Sequence, residues 1–138
     1  MAKHKLILED DFDFDLIGIC SNQTDYRLCW AINKSLEISL EKGTEYEVRL
    51  KKEGDNKYSF YEYYDEENHL EYYLIKNMSN NFKRLIPEKD QIDYFLIVKN
   101  NFSKEVEEIV GKLKTIESVL TAFSFDADEL KSKSNLVF

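Results

Sequence analysis

The sequence predicts an α+β domain in which two helices pack on one face of a mostly antiparallel or mixed sheet. Two stretches carry apolar residues at helical spacing, and each lies between two stretches that alternate like strands. These strand–helix–strand units span residues 12–50 and 92–125, and a predicted β-meander at 57–86 separates them. Paired units of this kind are typical of ferredoxin-like folds. We therefore expect residues 1–138 to form a single domain, with a candidate mobile tail at 128–138.

The first unit contains strands predicted at 3–8, 12–19 and 45–51. Between the last two, Thr24 is a candidate N-cap for a helix, and Gly43 is the expected end of that helix. At 100° per residue the apolar arc of this helix comprises Leu28, Cys29, Ala31, Ile32, Ser35, Leu36, Ser39 and Leu40.

The middle of the chain predicts a meander of three strands. A turn at 54–56 leads into a strand at 57–65, which turns again into a strand at 69–78. A short strand is predicted at 82–86, just before Pro87, the only proline.

The second unit opens with the most apolar stretch of the chain, 92–98, which we expect to be the central strand. Ser103 is a candidate cap for the second helix, and the last long strand is predicted at 119–125. The buried stripe of the second helix comprises Val106, Ile109, Val110, Leu113 and Ile116.

Two helices can cover only one face of so large a sheet, so we expect the other face to meet solvent or a partner. The predicted meander carries an unusual density of large rings, and tyrosine is common at recognition surfaces. The alternative is that these tyrosines only stabilise an open sheet face across neighbouring strands. The expected interaction surface comprises Tyr58, Tyr61, Tyr63, Tyr64, Tyr72, Tyr73 and Trp30.

Trp30 interrupts the pattern of the first helix, because it lies about 200° from Leu28, among polar residues. An indole at such a position is expected to be covered. The C-terminal residues 136–138 are the favoured cover, and another subunit is the alternative.

Composition excludes several classes of function. A net charge of −8 argues against binding a phosphate backbone, and no apolar run approaches the roughly 20 residues of a membrane helix. We expect a cytoplasmic protein, because the acidic residues at 9–11 come before a signal-peptide core could form. Cys20 and Cys29 are expected to be reduced and buried, because their spacing matches neither a redox pair nor a metal site. Neither His4 nor His69 has metal-ligand spacing to another residue, and no glycine-rich phosphate loop is present. No catalytic, cofactor or metal residue is predicted.

An acidic run at 9–15 resembles the opening of a calcium loop, with aspartates at positions 1, 3 and 5 counted from Asp11. The sixth position, Leu16, should be glycine, and the twelfth, Asn22, should be glutamate. A solvated strand face is therefore the expected reading of the run.

Three short segments, Asp25 to Trp30, Leu85 to Glu88 and Asp93 to Ile97, resemble the IPExxxDY family of small bacterial proteins. The chain departs from that pattern because four residues, 89–92, separate Glu88 from Asp93. The resemblance implies no activity, cofactor or catalytic residue. The residues themselves suggest structural roles: Pro87 sets a turn, Glu88 binds turn amides, Asp93 and Tyr94 begin the central strand, and Asp93 pairs with Arg27.

The expected function is that of a non-enzymatic protein-binding domain, homodimeric through its aromatic sheet surface. The alternative is a small-ligand-binding protein, or an enzyme of unrecognised type, with its site between the sheet and the first helix.

Overall fold

The computed structural model of the chain describes residues 14–50, 54–101 and 104–136. These residues form a six-stranded antiparallel sheet, a separate two-stranded hairpin and two α-helices, which confirms the α+β class. The predicted strand at 3–8 and the acidic run before Phe14 lie outside the described residues. The strands are β1 (Phe14–Ser21), β2 (Glu41–Lys42), β3 (Tyr46–Leu50), β4 (Gly54–Tyr58), β5 (Phe60–Asp65), β6 (Leu70–Lys76), β7 (Tyr94–Lys99) and β8 (Val119–Phe125); the helices are α1 (Asp25–Leu36) and α2 (Val106–Lys114).

The strand order of the large sheet is β2-β5-β6-β7-β1-β8, with every neighbouring pair antiparallel. Both β7 and β8 are antiparallel to β1, which lies between them, so they run parallel to each other and α2 crosses from one to the other. This is the split β-α-β arrangement of ferredoxin-like folds. The predicted central position of β7 is confirmed, and its side chains from Tyr94 to Val98 are all buried.

Helix α1 begins as predicted but ends earlier. The Thr24 side chain accepts a hydrogen bond from the backbone N–H of Arg27, which is the expected N-cap. The helix stops at Leu36, and Glu37 takes the left-handed conformation with φ 57°. The Asn33 side chain accepts from Leu40 N at 2.7 Å and donates to Leu40 O at 3.1 Å. The predicted end at Gly43 is wrong because these bonds hold residues 38–40 in a loop.

The predicted meander also differs in detail. The turn expected at 54–56 is part of β4, and the strand expected at 57–65 is divided at Ser59 between two sheets. The prediction of a strand at 82–86 is wrong as well. Phe82 has a positive φ of 62°, and the Ser79 hydroxyl accepts from the N–H groups of Asn81 and Lys83, so local turns replace a ladder.

Both helices pack on the same face of the sheet, as predicted. One buried cluster joins residues of α1 and α2 to alternate positions of β1, β6 and β7. Its members include Ile17, Ile19, Leu28, Ile32, Tyr72, Leu74, Leu96, Ile109 and Leu113.

The second face of the sheet is covered too, so the expectation that it meets solvent or a partner is wrong. The β3–β4 hairpin, the loop at 85–92 and the C-terminal segment at 127–136 pack over the other set of alternate positions. Leu130 and Leu136 of the candidate mobile tail are both buried in the cluster on this face, so these two side chains belong to the core. The cluster on this face comprises Leu16, Tyr58, Ile75, Leu85, Ile86, Ile92, Phe95, Ile97, Ala127, Leu130 and Leu136.

Candidate interaction surface

The tyrosines expected to form an interaction surface fall into two groups. Tyr58, the last residue of β4, is fully buried in the cluster on the second face, while Tyr61 and Tyr72 are buried beneath the helices. The prediction is wrong for these three, because alternate strand positions point into two covered faces rather than one. Tyr63 and Tyr73 are half-buried, and Tyr64 is exposed.

The tyrosines that retain exposure lie around an acidic groove of about 530 Å³. The Tyr73 hydroxyl donates to the Glu71 carboxylate, and burial together with this carboxylate raises the pKa of Tyr73. The hydrogen bond therefore uses one of the carboxylates that face the groove. The groove is lined by Glu41, Glu62, Tyr63, Tyr64, Glu71 and Tyr73.

Trp30 lies on the outer face of α1, as the helical wheel predicts, and 64% of its surface is exposed. The opposite face of the helix buries Leu28, Cys29 and Ile32. The favoured cover for the indole is wrong as far as the described residues reach, because Leu136 packs on the far side of the sheet.

A groove of about 390 Å³ runs beside this indole, and we call it the Trp30 groove. Tyr26, one helical turn before Trp30, is 72% exposed and contributes a second ring. The Lys34 Nζ atom lies 5.3 Å from the centre of the Trp30 ring, within cation–π distance. The groove is lined by Gln23, Tyr26, Arg27, Trp30, Ala31 and Ser118.

The start of α1, and with it the groove, is fixed to the sheet by hydrogen bonds. Tyr94 donates its hydroxyl proton to Gln23 O at 2.7 Å, and the Ser21 hydroxyl donates to Ser118 O at 2.8 Å. Burial raises the pKa of Asp25, but hydrogen bonds from Ser59 and from the next backbone N–H outweigh burial and hold that pKa below its usual value. These hydrogen bonds attach the start of the helix to the sheet and to the residue before β8.

The motif residues at 87–94 have structural roles. Pro87 begins a short 3₁₀ helix, and the Glu88 carboxylate accepts from Ser132 N at 2.7 Å and from the Ser132 hydroxyl at 2.9 Å. Asp93 accepts from Ser21 N at 2.8 Å. Within the described part of the chain, no ion pair joins Asp93 to Arg27, so that expected pairing is not found.

The two cysteines are free thiols. Cys29 is buried, as predicted, and burial together with the nearby Asp25 charge raises its pKa to about 11. Cys20 is only half-buried, and burial followed by the Asp93 charge raises its pKa as well. Thiols with raised pKa values are poor nucleophiles at neutral pH.

The alternative site, between the sheet and α1, contains packed side chains where the helix meets the strands. A polar cleft of about 300 Å³ opens at the rim, where the chain enters α1. Across the residues that the structure describes, no group of three or more His, Cys, Asp or Glu side chains could hold a metal ion. The cleft is lined by Ser21, Asn22, Gln23, Lys76, Met78, Arg84, Asp93 and Tyr94.

Sequence reasoning missed several exposed rings and aliphatic side chains. Tyr26 shares the outer face of α1 with Trp30 at a spacing of four, which is a signal that the helical wheel contains. Leu120 and Phe123 on β8 carried no such signal, because their exposure depends on β8 being an edge strand.

Comparison with protein-family models, with curated proteins and with solved structures finds no match to this chain. No helix within 14–50, 54–101 or 104–136 has the length and apolar character needed to cross a membrane.

Proposed function

We propose that this chain is a non-enzymatic protein-binding domain and that it binds its partner through the Trp30 groove. The observation that carries the proposal is the exposure of Trp30 and Tyr26 beside Arg27 on one helix. Tryptophan, tyrosine and arginine are the residue types that dominate binding energy at protein interfaces. Trp30 is 64% exposed beside a groove, so a partner that covers it would remove a large apolar surface from water and gain binding free energy.

The charges around the groove indicate the chemistry of the partner. Arg27 lines the groove and Lys34 lies over the indole, although the chain as a whole carries a net charge of −8. Complementary charge steers binding and suppresses wrong partners. The partner we propose is a protein segment that presents an apolar side chain next to carboxylates.

This proposal moves the interaction surface away from the tyrosines of β4, β5 and β6. Tyr58, Tyr61 and Tyr72 already fill the cores of the domain, so a partner gains no area from them. The acidic groove around Tyr64 remains accessible but lacks a tryptophan and any basic group among its lining residues.

A peptide-display selection against the full chain tests the proposal. Random peptides are selected on the wild-type chain and counter-selected on Trp30→Ala. Phe82→Ala serves as the matched control because Phe82 is an 82% exposed ring that does not line the groove. We expect enriched peptides to combine an apolar residue with Asp or Glu, and to bind wild type and Phe82→Ala equally. Because Trp30 is the only tryptophan, binding is also expected to shift the intrinsic emission to the blue.

Two results would contradict the proposal. The first is that no peptide prefers the wild-type chain over Trp30→Ala. The second is that the selected peptides bind Arg27→Glu as tightly as wild type, because the charge of Arg27 then has no role in recognition.

A further inference from the structure

The two edges of the six-stranded sheet differ in their protection. At one edge, β2 has only two residues, the exposed and charged Glu41 and Lys42. At the other edge, β8 has seven residues and contains no charge, glycine or proline. Within the described ranges, β8 pairs on one side only, with β1. Natural sheets usually shorten or charge their edges, because a long uncharged edge offers its N–H and C=O groups to another strand.

The side chains of β8 add apolar area to this edge. Leu120 is 69% exposed at a β-bulge, where the pairing with β1 shifts by one residue, and Phe123 is 39% exposed. The centres of the Phe123 and Phe125 rings lie 5.8 Å apart, and Phe125 packs against the cluster on the second face. A strand added to this edge would cover both exposed side chains.

One flank of α2 lies beside the same edge. Helix α2 packs chiefly on β8, and the Ser124 hydroxyl donates to the Glu107 carboxylate at 2.7 Å. Gly111 and Lys114 follow Glu107 at helical spacings of four and seven, so the three share this flank. All three are exposed.

We propose that β8 pairs antiparallel with β8 of a second copy of this chain, about a two-fold axis near Ala122. In this arrangement Glu107 of each copy faces Lys114 of the other copy. The interface is isologous, because the same surface serves both copies.

The positions of the charges support this axis. The midpoint between Glu107 and Lys114 lies about 5 Å along the helix from Glu107, at a rise of about 1.5 Å per residue. At about 3.4 Å per residue, that distance corresponds to roughly one and a half residues of strand, counted back from Ser124. The helix flank and the strand, whose central residue is Ala122, therefore share one centre of symmetry to within about one residue.

Gly111 fits the same arrangement. Glycine lowers the stability of a helix interior relative to alanine, yet a Cβ at Gly111 meets nothing within 4 Å in its own chain. Paired β8 strands lie about 4.8 Å apart and packed helices roughly 8–10 Å apart, so the arrangement requires each α2 axis to lie about 2–3 Å inward of its own β8. A glycine at the point of closest approach gives the two helices room to pack.

Self-complementarity is the reason to assign this edge to a second copy. An acidic and a basic residue lie at equal distances on either side of one axis, so the flank of one chain matches the flank of another without any change. A different protein places no such symmetric requirement on α2. The pairing does not depend on the Trp30 groove, and either proposal can fail alone.

Sedimentation equilibrium of the full chain, at concentrations up to about 100 µM, tests the pairing. We expect a dimer for wild type and at least about a tenfold rise in Kd for Leu120→Lys, which places like charges at the paired edge. Phe82→Lys is the matched control, because it adds the same charge at an exposed ring outside β8. This control is expected to dimerise like wild type.

A charge exchange tests the antiparallel geometry. Glu107→Lys and Lys114→Glu are each expected to weaken the dimer, and the double variant is expected to regain most of the lost affinity because opposite charges again face each other. Circular dichroism of each variant verifies that α2 has formed.

Two outcomes would overturn the proposal. One is a dimer that neither Leu120→Lys nor the single charge reversals weaken. The other is a wild-type monomer over the whole concentration range. If the β8 amides that point away from β1 are strongly protected from hydrogen exchange in such a monomer, another part of the same chain occupies the edge instead.

Discussion

Asn77 connects β6 to the loop that closes the second face of the sheet, so its removal tests how that face is held. The residue is fully buried, and its side chain accepts from Ile86 N at 2.9 Å and donates to Ile92 O at 2.9 Å and Lys89 O at 3.1 Å. Lys89 O also accepts from Ile92 N and keeps that partner in Asn77→Ala. Two buried backbone groups lose their side-chain partner, at a cost of roughly 1–3 kcal/mol each.

We therefore expect Asn77→Ala to lower the free energy of unfolding by about 2–6 kcal/mol, a large part of the stability of a small domain. Guanidinium unfolding followed by far-UV circular dichroism measures this change. Asn68→Ala is the control, because the exposed Asn68 amide bonds only to the nearby Asp65 carboxylate and its loss should change stability by less than about 0.5 kcal/mol. If the two variants have the same free energy of unfolding, the hydrogen bonds of Asn77 to the 85–92 loop do not stabilise the second face.

Three further predictions concern protonation. Burial raises the pKa of Glu88, but hydrogen bonds from Ser132 outweigh burial and lower that pKa below its ordinary 4.5. Ionised Glu88 should therefore stabilise the fold above pH 4.5, and this stabilisation should be lost as the pH falls through the pKa of the folded chain. The free energy of unfolding of Glu88→Gln should depend less on acid pH than that of wild type. Burial, then the Asp25 charge, raises the pKa of Tyr61 to about 12, and burial also raises the pKa of Tyr94. The free energy of unfolding should therefore fall as the pH rises above 10. An absorbance titration should show tyrosines that ionise late in the folded chain and at the ordinary pH in guanidinium. A disulfide reagent at neutral pH should modify Cys29 far more slowly in the folded than in the unfolded chain, and equal rates would contradict its burial.

Local sequence patterns predicted some elements correctly. The strand at 119–125 and the start of α1 at Thr24 match the structure, because alternation and capping are local signals. The end of α1 could not be predicted from periodicity, since the apolar Leu40 continues the helical spacing. The left-handed Glu37 ends the helix, and the side-chain hydrogen bonds of Asn33 hold Leu40 outside it.

The cover of the second face escaped prediction for a different reason. The 85–92 loop and the 127–136 segment contribute isolated apolar residues, such as Leu85 and Leu136, without a helical or strand period. Their burial depends on contacts between residues far apart in the chain. For example, Asn135 donates to Leu85 O at 2.7 Å. Long-range contacts of this kind leave no pattern in a short window of sequence.

The candidate site was predicted in part. Trp30 was expected on a polar helix face, and its exposure agrees with that geometry. Its cover was misjudged because the position of the C-terminal segment was unknown. The tyrosines Tyr58 and Tyr72 were assigned to a surface because strand alternation alone does not show that both faces of a sheet are covered.

Acrylamide quenching of Trp30 fluorescence in the free chain tests the central claim most directly. Because the chain has one tryptophan, the signal reports that indole alone. For an exposed indole we expect an emission maximum close to that of free tryptophan and efficient quenching. When a selected peptide binds, the emission should shift to the blue and the quenching should weaken. Blue-shifted emission that acrylamide barely quenches in the monomeric free chain would show that the chain covers its own indole, and the Trp30 groove would then not exist.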